Sequence, residues 1–163
     1  MIITHTRRIA VALALVAFAA ASAQAQTATQ TVTFAVNAIN QISFAGAPSL
    51  TITTAVAGSA PTSVTDATAS WAVTTNQTTA KITASIPLAM PAGLTLSSSL
   101  VAPAAATSAG FLALGTVAVD LVTGITKLAQ NALGVTYKLD ATPAAGVVTS
   151  STRVVTYTIT GGT

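Results

Sequence analysis

From Thr31 onward the chain repeatedly alternates Thr or Ser with Val, Ile, Leu, Tyr or Phe. Period-2 alternation puts one set of side chains on a core and the other in water, which is the mark of a half-buried strand. The β-branched residues suit this role because their stiff χ1 packs well on a pleated surface. Thr31 to Asn37 places Val32, Phe34 and Val36 on one face. Ile42 and Phe44, Leu50 and Ile52, Trp71 and Val73, Ile82 to Ile86, and Leu94 and Leu96 give further short runs. Thr116 to Val122, Val135 to Leu139, and Arg153 to Thr160 complete them, the last with Val155, Tyr157 and Ile159 together. Gly46-Ala47-Pro48, Met90 to Gly93 and Pro143 to Gly146 read as turns, since Pro presets φ and Gly takes positive φ.

Three stretches lack the alternation. Gly58 to Thr68 and Val101 to Gly110 read as loops, and Thr126 to Leu133 as one or two helical turns. No ten-residue stretch after the leader has convincing helical periodicity, so parallel β-α-β units are not expected. About eight to ten short strands with turns between them is the pattern of a sandwich or barrel. The expected fold class is all-β: an antiparallel β-sandwich, immunoglobulin-like or jelly-roll-like.

The start carries an address. Arg7 and Arg8 precede an unbroken apolar run from Ile9 to Ala21, and Ala23-Gln24-Ala25 supplies a small-x-small cleavage site. A spanning helix needs about 20 apolar residues, and this run is shorter. We expect residues 1–25 to be a cleaved signal peptide and 26–163 to be one exported β domain. No transmembrane segment is then expected after cleavage. Thr6-Arg7-Arg8 is similar to a twin-arginine start, but Ile9-Ala10-Val11 fit that pattern poorly. The expected location is the periplasm, the cell surface or the extracellular space.

Removing the leader changes the chemistry on offer. Of 163 residues, a 25-residue leader leaves 138, with Lys81, Lys127, Lys138 and Arg153 against Asp66, Asp120 and Asp140, a net +1. Four scattered cations make no basic patch that could neutralise several phosphates, so no nucleic-acid partner is expected. Low net charge leaves little self-repulsion to oppose close association. There is no Cys, so stability has to come from a packed core rather than disulfides.

The remaining chain has no His and no Glu, since His5 lies in the leader. Without His or Cys, a Ser-His-Asp or Cys-His triad cannot be assembled, and zinc and copper sites lose their usual ligands. Glycoside hydrolysis generally needs two flanking carboxyl groups, and Asp66, Asp120 and Asp140 are the sole side-chain candidates. Asp66 sits in a Thr-Asp-Ala-Thr context that favours an Asx-turn, and the other two sit beside Leu121 and Leu139 at solvent-facing strand positions. No catalytic residue, metal site or cofactor is expected, and the chain reads as a non-enzyme. Asn76-Gln77-Thr78 matches a glycosylation sequon, which we read as coincidence beside a bacterial-looking leader.

Trp71, Tyr137 and Tyr157 are the aromatic side chains that could mark a binding face. Trp71 is the candidate if the domain recognises a surface glycan or protein. The cleanest alternating segments lie at the two ends: Thr31-Val32-Thr33-Phe34-Ala35-Val36 and Val155-Thr156-Tyr157-Thr158-Ile159-Thr160. An exposed terminal strand is a template for pairing with another chain. In this arrangement the chain resembles cysteine-free exported pilin-type subunits, which are surface-fibre β-sandwiches polymerised by donor-strand exchange. Many pilins carry a disulfide that this chain lacks.

The resemblance implies a structural subunit of a pilus, fibre or matrix, with itself or related subunits as partners through β-strand pairing. The segments concerned are those of Val32, Phe34 and Val36 and of Val155, Tyr157 and Ile159. The alternative expectation is an extracellular binding module for a glycan or surface protein. N-terminal sequencing of the exported product should begin at Gln26, or at Gln24 if the alternative site Ala21-Ser22-Ala23 is cut; a product retaining Ile9 to Ala21 would overturn the leader.

Overall fold

The computed structural model describes residues 25–162. The expected leader, apart from its last residue, lies outside the described residues. The chain divides into two units, 1–35 and Val36–Thr163. In the first unit, residues 25–35 carry no regular secondary structure, and Val32 and Phe34 are 71% and 89% exposed.

All the strands belong to the second unit. They are β1 (Asn40–Ala45), β2 (Val64–Thr75), β3 (Ala80–Ser85), β4 (Leu94–Leu100), β5 (Thr107–Ser108), β6 (Leu112–Ala113), β7 (Val119–Ile125), β8 (Leu128–Ala141) and β9 (Thr156–Thr160). One 3-10 turn, Pro143–Ala145, separates β8 from the last segment. Every pairing is antiparallel, in a five-stranded sheet ordered β1-β2-β8-β4-β6 and a four-stranded sheet ordered β5-β7-β3-β9. The chain is an all-β antiparallel sandwich. Among the described residues no helix is long and apolar enough to cross a membrane.

The alternating side chains meet between the sheets. Trp71, Val73, Leu100, Leu133 and Val135 come from the larger sheet, and Ile82, Ala84, Leu121, Val122 and Ile125 from the smaller one. Burying such side chains gains about 1.5–3 kcal/mol each, against backbone ordering of about 1–2 kcal/mol per residue. With no Cys in the chain, this inner face is the main source of stability.

Several expectations change. Thr126 to Leu133 forms no helical turn; Leu128 onward is the start of β8, paired with β2 through Leu128↔Thr75 and Gln130↔Val73. The local sequence carries weak preferences there, and the ladder offered by β2 decides the conformation. Lys127 and Ala132 take positive φ of 41° and 54°, which explains the broken alternation. The Gly58–Thr68 stretch is only half loop, because β2 begins at Val64. Leu50 and Ile52 lie outside the strands, near a single Ala55↔Pro61 bridge. Thr31 to Asn37, expected as a strand, joins neither sheet, and the sandwich begins at Asn40.

Two glycines close comparable turns. Leu94 N–H donates to Pro91 O and Ser59 N–H to Val56 O, which places Gly93 (φ 80°) and Gly58 (φ 83°) at the third turn position. A Cβ on Gly93 would lie 2.6 Å from Ala145 N, whereas one on Gly58 would meet nothing within 4 Å. Both Gly→Ala variants bear the strain of positive φ, about 1–3 kcal/mol. Gly93→Ala should lose at least about 1 kcal/mol more from the added clash, read as the difference between the two denaturation midpoints.

Candidate functional site

The inner face of the larger sheet is covered along only part of its length. On β8, Val135 is fully buried, Tyr137 is nearly so, and Leu139 is half-exposed. On β4, Leu100 is buried and Leu94 is half-exposed. The uncovered end forms a groove of about 1080 Å³. Leu94, Leu96, Tyr137 and Leu139 make its apolar floor. One wall is the segment of Leu50 and Ile52, and the other is the segment from Val148 to Tyr157.

Neither wall is closed by a ladder. Residues 49–53 and 147–155 belong to no strand among the described residues. β9, which follows the second wall, pairs with β3 on one side and is the edge of its sheet. Val155, Tyr157 and Ile159, expected as strand-exchange residues, therefore lie in or beside an edge strand. Their side chains are half-buried against the core. Arg153 ties the second wall down, its guanidinium donating to Ala89 O at 3.2 Å and to Thr152 O at 2.9 Å.

The aromatic residues fix the inner end of the groove. Phe44 of β1 stacks on Tyr157 of β9, with centroids 3.9 Å apart, and on Trp71 of β2 at 6.0 Å. The stack joins the edge strands of the two sheets. Below it, the Tyr157 hydroxyl lies 2.8 Å from the Tyr137 hydroxyl and 3.1 Å from Ser98 Oγ. Burial pushes both tyrosine hydroxyls up, far above the ordinary range for Tyr157. Both rings are thus held neutral, and their hydroxyls satisfy one another in place of water.

Trp71 offers no binding platform. It is 2% exposed, and its Nε1–H donates to Val101 O at 3.2 Å. Its place opposite Phe44 in the β1–β2 register turns the ring into the core, so the expectation of a binding aromatic there is corrected.

The three carboxylates are engaged separately. Asp66 accepts from the Thr68 hydroxyl, the Ser49 N–H and the Thr68 N–H, which together hold its carboxyl below the usual range. The Thr68 N–H bond is the expected Asx-turn, set at a β2 irregularity between Asp66 and Ala69. Asp120 pairs with Lys81 at 3.1 Å on the smaller sheet. Asp140 is held low by the Ser63 hydroxyl first and then by Lys138, 3.0 Å away. Among the described residues no three His, Cys, Asp or Glu side chains come together as metal ligands.

No family model, curated protein or solved structure matches this chain. The groove is therefore interpreted from its own geometry. Sequence reading did not single out its floor, because Leu94, Leu96 and Leu139 look like ordinary inward-facing strand residues. Nothing local in the sequence says that the second sheet stops short of them.

Tyr157→Phe should keep the ring stack but leave Ser98 Oγ, which is fully buried, without its tyrosine partner. The expected loss is about 1–3 kcal/mol in urea unfolding. Because both tyrosine values are raised by folding, their contribution is full below the ordinary tyrosine value of 10.0 and declines as pH rises above it. The native chain should therefore lose stability above that pH, and Tyr157→Phe should decline less steeply.

Proposed function

We propose that this protein is an exported structural subunit of a fibre or surface matrix, assembled by strand exchange between copies. Each groove takes a β-strand from a neighbour, and residues 31–36 are the strand that each copy offers. The observation that carries this reading is the coexistence of two unmatched parts. One is a sandwich whose apolar floor lacks a covering strand. The other is an alternating segment with no ladder, whose Val32, Phe34 and Val36 are 71%, 89% and 79% exposed.

The segment's chemistry supports this reading. Six residues of strand span about 20 Å at about 3.3 Å each. Strand addition gains main-chain hydrogen bonds from the edges and specificity from pockets for alternate side chains. Residues 31–36 carry no charge, so no ion has to be buried. Magnitudes show why both contributions are needed. Burying three apolar side chains gains roughly 5–9 kcal/mol, while ordering six backbone residues costs about 6–12 kcal/mol. Side-chain burial alone does not hold the segment, so pairing along the groove walls has to supply the rest. In this the chain resembles pilin-type subunits. The buried Trp71 weakens the alternative of a glycan-binding module, which would use an exposed ring.

The test uses the chain from Gln26. The native chain should give filaments by electron microscopy and a heat-labile ladder on unboiled gels. Phe34→Asp, which puts a charge where an apolar side chain should enter, should reduce assembly at least about 100-fold, equivalent to about 3 kcal/mol. A strictly monomeric native chain at high concentration, or undiminished assembly by Phe34→Asp, would overturn the reading.

A further inference from the structure

The same chain carries both the groove and a segment suited to fill it, so a copy could in principle close its own groove. The geometry points to Asn76 as the positioning residue that prevents this and commits the segment to a neighbour. The inference rests on the strand-exchange reading and adds the choice between self-closure and exchange.

Asn76 follows the last residue of β2 and faces the chain just before β1. Its backbone N–H donates to Ile39 O at 3.2 Å, which extends the β1–β2 ladder by one step beyond the Asn40↔Thr75 pair. Its side chain supplies what the ending strand no longer can. Oδ1 accepts the Ile39 N–H at 2.8 Å, and Nδ2 donates to Asn37 O at 2.7 Å. Gln77 Nε2 donates to the same Oδ1 at 2.9 Å, which fixes the amide's orientation.

Residues 37 and 39 thus present their polar groups to one side, as alternate residues of an extended strand do. The amide thus holds Asn37 and Ile39 as a ladder partner would, one step beyond the end of β1. Thr75 Oγ1, donating to Asn40 Oδ1 at 2.7 Å, locks the neighbouring position.

This hold on residues 37 and 39 matters because of where the groove lies. Its inner end at Phe44 and its first wall, residues 48–55, lie at and beyond the far end of β1. To enter its own groove, the chain before β1 has to reverse direction within residues 36–39. A reversal there breaks the bonds to Ile39 N and Asn37 O, the pair that one amide holds. Losing two such bonds biases the choice without making self-closure impossible. Ladder geometry alone would release the chain at Asn40; the Asn76 side chain carries the restraint back to Asn37.

The experiment compares chains from Gln26: native, Asn76→Ala, and Asn76→Asp, which keeps an acceptor for Ile39 N–H and loses the donor to Asn37 O. Assembly is read by size-exclusion chromatography with light scattering. Groove occupancy in monomers is read by uptake of a fluorescent peptide of residues 26–38. Phe34→Asp, whose own segment cannot enter a groove, serves as the vacant-groove standard.

Asn76→Ala should shift mass from oligomer to monomer at least about fivefold, and those monomers should refuse the peptide because their grooves are filled in cis. Asn76→Asp should fall between Ala and native. Native-like assembly by Asn76→Ala would overturn the inference while leaving strand exchange intact. Asn76→Ala monomers that take up peptide as readily as the standard would also overturn it, since loss of assembly would then reflect general weakening. A native chain that neither assembles nor closes its groove, with no peptide taken up by the standard, would sink both proposals.

Discussion

The apolar inner face between the two sheets holds this molecule together, and almost nothing else is available to do so. There is no disulfide, and of the described ion pairs both lie at the surface, where such pairs add little. Trp71, Ile82, Leu121, Ile125 and Val135 must therefore be well packed. Coverage weakens steadily along β4 and β8 toward Leu94 and Leu139. The open groove is the point at which one sheet runs out before the other, so it follows from the same constraint that makes the core.

The aromatic stack is set at that boundary. Phe44 and Tyr157 come from the edge strands of different sheets, and their contact fastens the sandwich where the groove begins. The neutral hydroxyls of Tyr137, Tyr157 and Ser98 then close a polar path that would otherwise leave buried oxygens unpaired. The fold thus reaches full packing on one side of the stack and stays open on the other.

The strand pattern was legible in the sequence because it is local. Val135, Tyr137 and Leu139, or Ile82 and Ala84, declare their face by alternation alone. The misreadings arose where pairing overrides local preference. Residues 128–133 are strand because β2 is long enough to receive them, and Val64 to Thr68 are strand for the same reason on the other side of the ladder. Trp71 was ambiguous because a ring beside β-branched residues suits either a core or a platform, and only the register opposite Phe44 decides it. The groove was not legible, since it depends on which strands end early in space. Asn76 was hidden differently: its sequon was read as coincidence and drew no further weight, while its amide is spent on the backbone of Asn37 and Ile39.

The strands at the far margins have a consequence of their own. β5 and β6, the edges opposite β9 and β1, are two residues long each. Such stubs expose too few amide and carbonyl groups to template another sheet. The unpaired backbone edge of this sandwich is therefore concentrated on β1 and β9, six and five residues long.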